Sequence, residues 1–147
     1  MIVVYQPFSE DFHSQIVNLI KESGLVCNTK ELPRYGVAIV SQDFGHVIGY
    51  AGGHGKYGTV AHIDILVVDS GTREKGIGTI LINKVCHLLL EAGYTNFTAE
   101  VEASNDKAIH LYLKLGAELK MSFGLNIETQ RVIDTTSSLT RYHERPK

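Results

Sequence analysis

The chain has only two cysteines, Cys27 and Cys86, among its 147 residues. They lie far apart and fit neither a metal-ligand spacing nor a disulfide framework. There is no basic excess: the formal net charge is -2 and the sequence pI about 6.4. Neutralising phosphates needs a basic face, so nucleic acid is a poor default partner. No apolar run approaches the length of a bilayer span. The opening MIVVYQPF is too short for a secretory signal and lacks its basic leader. Together these absences point to a reduced, cytoplasmic setting. What is present is a globular composition, 44% hydrophobic. The length suits one domain with a real core, residues 1–147, and is too short for two ordinary ones.

The periodicities predict an order of elements. Residues 2–5 are β-branched and aromatic, and Pro7 stops them. Ser9 can cap a helix with Phe12, Ile16, Leu19 and Ile20 on one stripe, and Gly24 ends it. Residues 25–34 read as a loop or a short helix. YGVAIVSQDFGHVIGYAGG predicts two strands around a turn at Asp43–Gly45. GHGKYG reads as a second turn and residues 59–68 as the next strand of an antiparallel meander. A helix follows over 76–92, with Gly93 as its stop. A strand over 96–104, a helix over 105–115, a strand through KMSFGLNIE and a last strand in the tail TTSSLTRYHER complete the chain. This β-α-β-β-β-α-β-α-β-β order describes a mixed α/β (α+β) sandwich, not a doubly wound sheet.

The chemistry concentrates in DILVVDSGTREKGIGTILINKV, residues 64–85. A strand enters a polar turn with two glycines, and a helix follows at once. The first turn of a helix presents unpaired N–H groups and partial positive charge. Gly76 and Gly78 allow close approach to the backbone, and Arg73 and Lys75 add charge. The turn therefore predicts a phosphate or pyrophosphate ligand. It is neither a nucleotide P-loop nor a dinucleotide fingerprint. Tyr57 follows Gly55-Lys56 where Ser or Thr is needed, and Leu81 stands at the third glycine position after Gly76 and Gly78.

REKGIG fits R/Q-x-x-G-x-G/A, and SNDKAIHLYLKLGA follows one strand later. With Asn105, Ala108, Tyr112, Lys114 and Gly116 at their spacings, the pair resembles the GNAT superfamily of acetyl-CoA-dependent N-acyltransferases. The resemblance spans residues 1–125 in element order. It departs at Ser70, where many members have proline, and at Ala117, where phenylalanine is usual. It implies a mostly antiparallel sheet of about six to seven strands flanked by helices, with parallel strands splaying apart around 62–68 and 97–102.

Acetyl-CoA is then the implied acyl donor. Its pyrophosphate would lie on the backbone of Arg73, Glu74, Lys75, Gly76, Ile77 and Gly78. Its pantetheine arm would pair with Leu66, Val67 and Val68, with the Val68 N–H facing the thioester oxygen, and Asn105 would bond the arm. Tyr112 is the implied acid: a phenol with pKa about 10 can protonate a thiolate of similar basicity. Two bases compete. Glu100, in EVEASN, resembles the base of ribosomal-protein alanine N-acetyltransferases. His62 and Asp64 alternate on one strand face, at spacings resembling the paired histidines of arylalkylamine N-acetyltransferases. Cys86 falls in an apolar helix and reads as packing, so direct attack in a ternary complex is expected. His13, His87 and His110 read as surface or packing residues; His54 and Tyr57 as loop residues.

The acceptor is a primary amine: a small amine, a lysine or a protein N-terminus. The alternative is a non-catalytic CoA-binding regulatory or assembly module, which would need neither Tyr112 nor a base. No metal, nucleic acid or membrane partner is expected. The last two elements would either extend the sheet or exchange across a homodimer.

Overall fold

The computed structural model describes residues 1–25, 31–42, 45–102, 106–114, 118–121 and 130–134. Its contacts divide into two units. One comprises Met1–His54 and Ile65–Val85, the other Gly55–Asp64 and Cys86–Lys147. The division cuts through two strands and a helix, so each unit is taken by itself.

In the first unit β1 (Ile2–Tyr5) pairs antiparallel with β2 (Tyr35–Val40), with Ile2 opposite Val40 and Tyr5 opposite Val37. β2 pairs antiparallel with β3 (Val47–Tyr57). The end of β4 (Val60–Val68) follows β3 in the strand order. Between β1 and β2 comes α1 (Glu10–Glu22), which starts where Ser9 Oγ accepts from the Phe12 N–H at 3.1 Å. Glu10 and Asp11 lie in its first turn and Lys21 in its last, both matching the helix dipole. Gly24 follows with φ 82°, as the sequence predicts for a helix stop. Ile16, Leu19 and Ile20 pack against Ala38, Val40, Tyr50, Ile65 and Val67. Phe8 meets the Tyr50 ring edge-on at 5.9 Å. The Gln15 side chain reaches from α1 to take the Val47 N–H at 2.8 Å, fixing the start of β3.

The opposite sheet face carries α2 (Ile77–Glu91). Tyr50 points toward α1, so its neighbour Gly49 points away. A Cβ at Gly49 would stand 2.7 Å from Leu81 Cδ1 and 3.0 Å from Ile77 Cγ2. Glycine here lets α2 approach the strand, and Ile77, Leu81 and Ile82 are fully buried.

In the second unit β4 pairs parallel with β5 (Asn96–Glu102), through Val60–Ile63 against Asn96–Ala99. β5 pairs antiparallel with β7 (Gln130–Asp134), which pairs antiparallel with β6 (Glu118–Met121). α3 (Asp106–Lys114) connects β5 to β6. Ala61, Ile63, Cys86, Leu89, Phe97, Ala99 and Tyr112 are buried here.

The element order and the mixed, mostly antiparallel sheet are as the sequence predicts, with local corrections. GHGKYG is not a turn: β3 continues through it to Tyr57, and the turn is Gly58–Thr59 alone. Gly55 is needed because the Tyr94 phenol occupies the space a Cβ would fill. His54 and Tyr57 are thus exposed strand residues. The last described strand is Gln130–Asp134, which lies between β5 and β6 in the sheet. The predicted tail strand, the turn residues Asp43 and Phe44, and Cys27 lie outside the described residues.

Gly49→Ala tests the close helix approach. Its methyl meets two side chains that are themselves fully buried. Urea unfolding should show a loss of about 1–3 kcal/mol. An unchanged midpoint would show that α2 can yield at no cost.

Candidate functional site

The glycine turn is more ordered than a loop. β4 ends at Val68, and the Asp69 N–H bonds the Ile48 carbonyl at 2.8 Å. Asp69 Oδ2 accepts from the Gly71 N–H at 3.2 Å, and the Thr72 N–H and hydroxyl both bond the Asp69 carbonyl at 3.0 Å. These contacts hold a 3-10 helix over Ser70–Lys75. Gly76 then turns left-handed, φ 71° and ψ 19°, and α2 starts. The phosphate-binding stretch expected at 73–78 is therefore the end of a 3-10 helix, one left-handed glycine and the first residues of α2.

This junction fits an anion. The Ile80 N–H bonds the Gly76 carbonyl at 3.2 Å. Ile77, Gly78 and Thr79 form the first turn of α2, where a helix offers its N–H groups no intrahelical acceptors. No acidic side chain stands in the first turn of α2. Gly76 is exposed, with open space where a Cβ would lie, and Gly78 is half-buried. The Ile77 side chain is fully buried, so it anchors the turn and offers a ligand only its backbone. Arg73, Glu74 and Lys75 sit at the end of the 3-10 helix; their side chains lie outside the description.

β4 brings Leu66, Val67 and Val68 to the same turn. Val67 is buried in the core, while Leu66 and Val68 are half-buried on the alternate face. The β4–β5 ladder stops at Ile63 and Ala99, yet β4 runs on to Val68 and β5 to Glu102.

In the second unit, His62 stands opposite Thr98 in the parallel ladder, with Nδ1 2.8 Å from Thr98 Oγ1. Asp64, two residues on, is exposed. Glu100 follows Thr98 by two and pairs with Val132; its side chain lies outside the description. By strand alternation His62 and Asp64 share one face of β4, and Thr98 shares it through its pairing with His62. Tyr112, on α3, is 3% exposed. Burial, with the Cys86 thiol as a second cause, pushes its phenol far above the ordinary range. The phenol is therefore protonated at any ordinary pH, but it is a weaker acid than a free phenol, so burial moves it away from the thiolate-matched acidity that the sequence reading gives it. Cys86 is buried and its thiol is likewise pushed far up, by burial. Such a thiol supplies no thiolate nucleophile. Asn105 lies outside the described residues. His87 is exposed beside Glu91 at 2.7 Å and His110 is exposed, both as the sequence reading has it. Among the described residues, no group of three or more His, Cys, Asp or Glu is placed to hold a metal ion. No described helix is long and apolar enough to cross a membrane.

Thr98 is the residue that sequence reading misses. Its only signal is its place on a strand, and its partner depends on a parallel register between residues 36 apart in sequence.

Residues 5–117 match the model of the acetyltransferase (GNAT) family. A relative, N-alpha-acetyltransferase 30 of Xenopus laevis, is 38% identical over 63 residues, covering 43% of this chain and 23% of that protein. The chain thus matches under a quarter of that relative's length. Ard1 from Thermoplasma volcanium superposes with a TM-score of 0.74 at 20% identity, over 91% of this chain and 97% of the other. An aminoglycoside 6'-N-acetyltransferase complexed with coenzyme A gives 0.75 at 18% identity, over all of both chains. At those identities the two structures establish the shared fold.

The raised Cys86 and Tyr112 values make a pH prediction. A folded-state pKa raised above the unfolded value means stability is full below the unfolded pKa and falls as pH rises through it. The ordinary values are 9.0 for the thiol and 10.0 for the phenol. Stability should therefore decline above pH 9.0, by about 1.4 kcal/mol per pH unit for the thiol, and more steeply above 10.0 as the phenol joins. Denaturant midpoints for Cys86→Ala should lose the first phase and keep the second. Identical profiles for the two proteins would contradict the burial reading of Cys86.

Proposed function

We infer, because this chain belongs to the acetyltransferase (GNAT) family, that it transfers an acetyl group from acetyl-CoA to a primary amine. The proposed function belongs to a single N-acetyltransferase domain, residues 1–147. The observation that carries the reading is the junction at Gly76: an exposed left-handed glycine with open space where a Cβ would lie, at the start of α2. The pyrophosphate is assigned to the backbone of residues 73–78. The end of β4, Leu66–Val68, is assigned to strand-like pairing with the pantetheine arm. The Val68 N–H is assigned to the thioester oxygen, where a placed donor is worth powers of ten in rate. Asn105 is assigned to the arm.

In the transfer, an ammonium loses a proton to the base, and the amine lone pair attacks the acetyl carbon. The C–N bond forms and the C–S bond breaks. Tyr112 gives its proton to the departing thiolate and is refilled by the second amine proton. The products are the amide, CoA thiol and one proton. The base is drawn from Glu100 and the His62–Asp64 pair. With Cys86 buried and protonated, the acetyl group passes directly, with no acyl-enzyme. The likeness to an N-alpha-acetyltransferase makes a protein α-amino group the first acceptor to try, ahead of a small amine. A cytoplasmic setting suits both this donor and a free thiol.

Calorimetry with acetyl-CoA tests the reading. The wild-type chain should bind, and Gly76→Asp should not, since it sets a carboxylate at the anion site. No binding to the wild-type chain would overturn the proposal. Tyr112→Phe should bind acetyl-CoA normally and lose about 10²-fold or more in kcat. Binding without turnover of any amine, peptide or lysine would leave the CoA-binding module in its place.

A further inference from the structure

We propose that Asp69 is a positioning residue for the cofactor: its side chain holds the turn between β4 and α2 in its anion-binding shape before acetyl-CoA arrives. This role rests on the acetyltransferase reading and deepens it. Every contact involved lies within the first unit. The Asp69 N–H donates to the Ile48 carbonyl at 2.8 Å, tying the turn to β3. The start of β3 is itself held from α1, where Gln15 Oε1 accepts from the Val47 N–H at 2.8 Å. The Asp69 carbonyl accepts from the N–H and the hydroxyl of Thr72, both at 3.0 Å. Asp69 Oδ2 accepts from the Gly71 N–H at 3.2 Å. A Cβ at Gly71 would stand 3.3 Å from that oxygen, so glycine keeps the carboxylate's approach open.

The backbone contacts are open to any residue at this position; the side-chain cap is not. Ser70 follows, the first residue of the 3-10 helix Ser70–Lys75. A proline there would fix its own φ and hold residue 69 in extended backbone. Asp69 has that conformation without one, φ -57° and ψ 133°, and caps the helix with its carboxylate. The cap thus does by hydrogen bonding what a proline ring does by covalent geometry. Its effect reaches the ligand through Gly76, where the 3-10 helix ends at φ 71° and α2 starts. A frayed 3-10 turn leaves Gly76 its wide choice of φ, and the first residues of α2 lose their fixed approach. Acetyl-CoA then binds only the fraction of molecules with the turn formed, and its apparent affinity falls by that fraction. Asp69 acts through the backbone and not by touching the ligand.

Calorimetry with acetyl-CoA on Asp69→Ala, on Asp69→Asn, and on Asp69→Ala combined with Ser70→Pro tests this role. Asp69→Ala should bind about fivefold more weakly, the ordinary worth of a helix cap. Asp69→Asn keeps an accepting oxygen and should bind like the wild type. Ser70→Pro should restore most of the affinity that Asp69→Ala loses, with no carboxylate present. With a peptide bearing a free α-amino group, the KM of Asp69→Ala for acetyl-CoA should rise about fivefold while kcat at saturating donor stays unchanged. The Thr72 amide reads the turn without ligand, because its acceptor, the Asp69 carbonyl, survives in Asp69→Ala. Its hydrogen exchange should quicken about fivefold in that variant. An Asp69→Ala protein that is less stable yet binds acetyl-CoA as tightly as the wild type overturns the inference. So does an equal loss in Asp69→Ala and Asp69→Asn, which would assign the effect to the charge. Failure of the wild-type chain to bind is a different result: it removes the acetyltransferase reading and the cofactor role with it, and Thr72 exchange still decides whether Asp69 holds the turn.

Discussion

The short parallel ladder between β4 and β5 is the constraint on which the chemistry depends. It holds Val60–Ile63 to Asn96–Ala99 and then stops, although both strands continue. Its register puts His62 against Thr98.

The turn after β4 supplies the complementary charge. Asp69 caps the 3-10 helix with its own side chain and carbonyl, so the chain reaches Gly76 in a fixed path. The left-handed glycine then redirects it into α2 without a Cβ over the first N–H groups. Below the turn, Ile77 and Leu81 lock the helix onto Gly49. A rigid helix start costs little reorganisation when an anion arrives, which is the physical basis of strong electrostatic binding. Tyr112, in the other unit, is buried and stays protonated.

Much of this was legible in the residues. Ser9, the Ile16–Leu19–Ile20 stripe, Gly24 and the Gly76 turn are local signals, and each does locally what its type implies. GHGKYG misled because its glycines resemble turn residues, whereas Gly55 is small for the sake of Tyr94, far along the chain. β7 escaped because QRVID is short and carries charge at both ends, and the Thr-rich tail after it has the stronger strand propensity. The Thr98–His62 pair was invisible for a related reason: it depends on a parallel register between residues 36 apart in sequence. The candidate site residues come from motif spacing; the burial of Tyr112, which makes its phenol a weaker acid than its type implies, is visible only in the packing.

The most direct test of the account follows backbone amides by nitrogen–proton correlation spectra during titration with acetyl-CoA. The account predicts the largest shifts at Val68, Gly76, Ile77 and Gly78, with Thr79 close behind. Saturating shifts confined to other amides, with those of the β4 end and the α2 start unmoved, would contradict it.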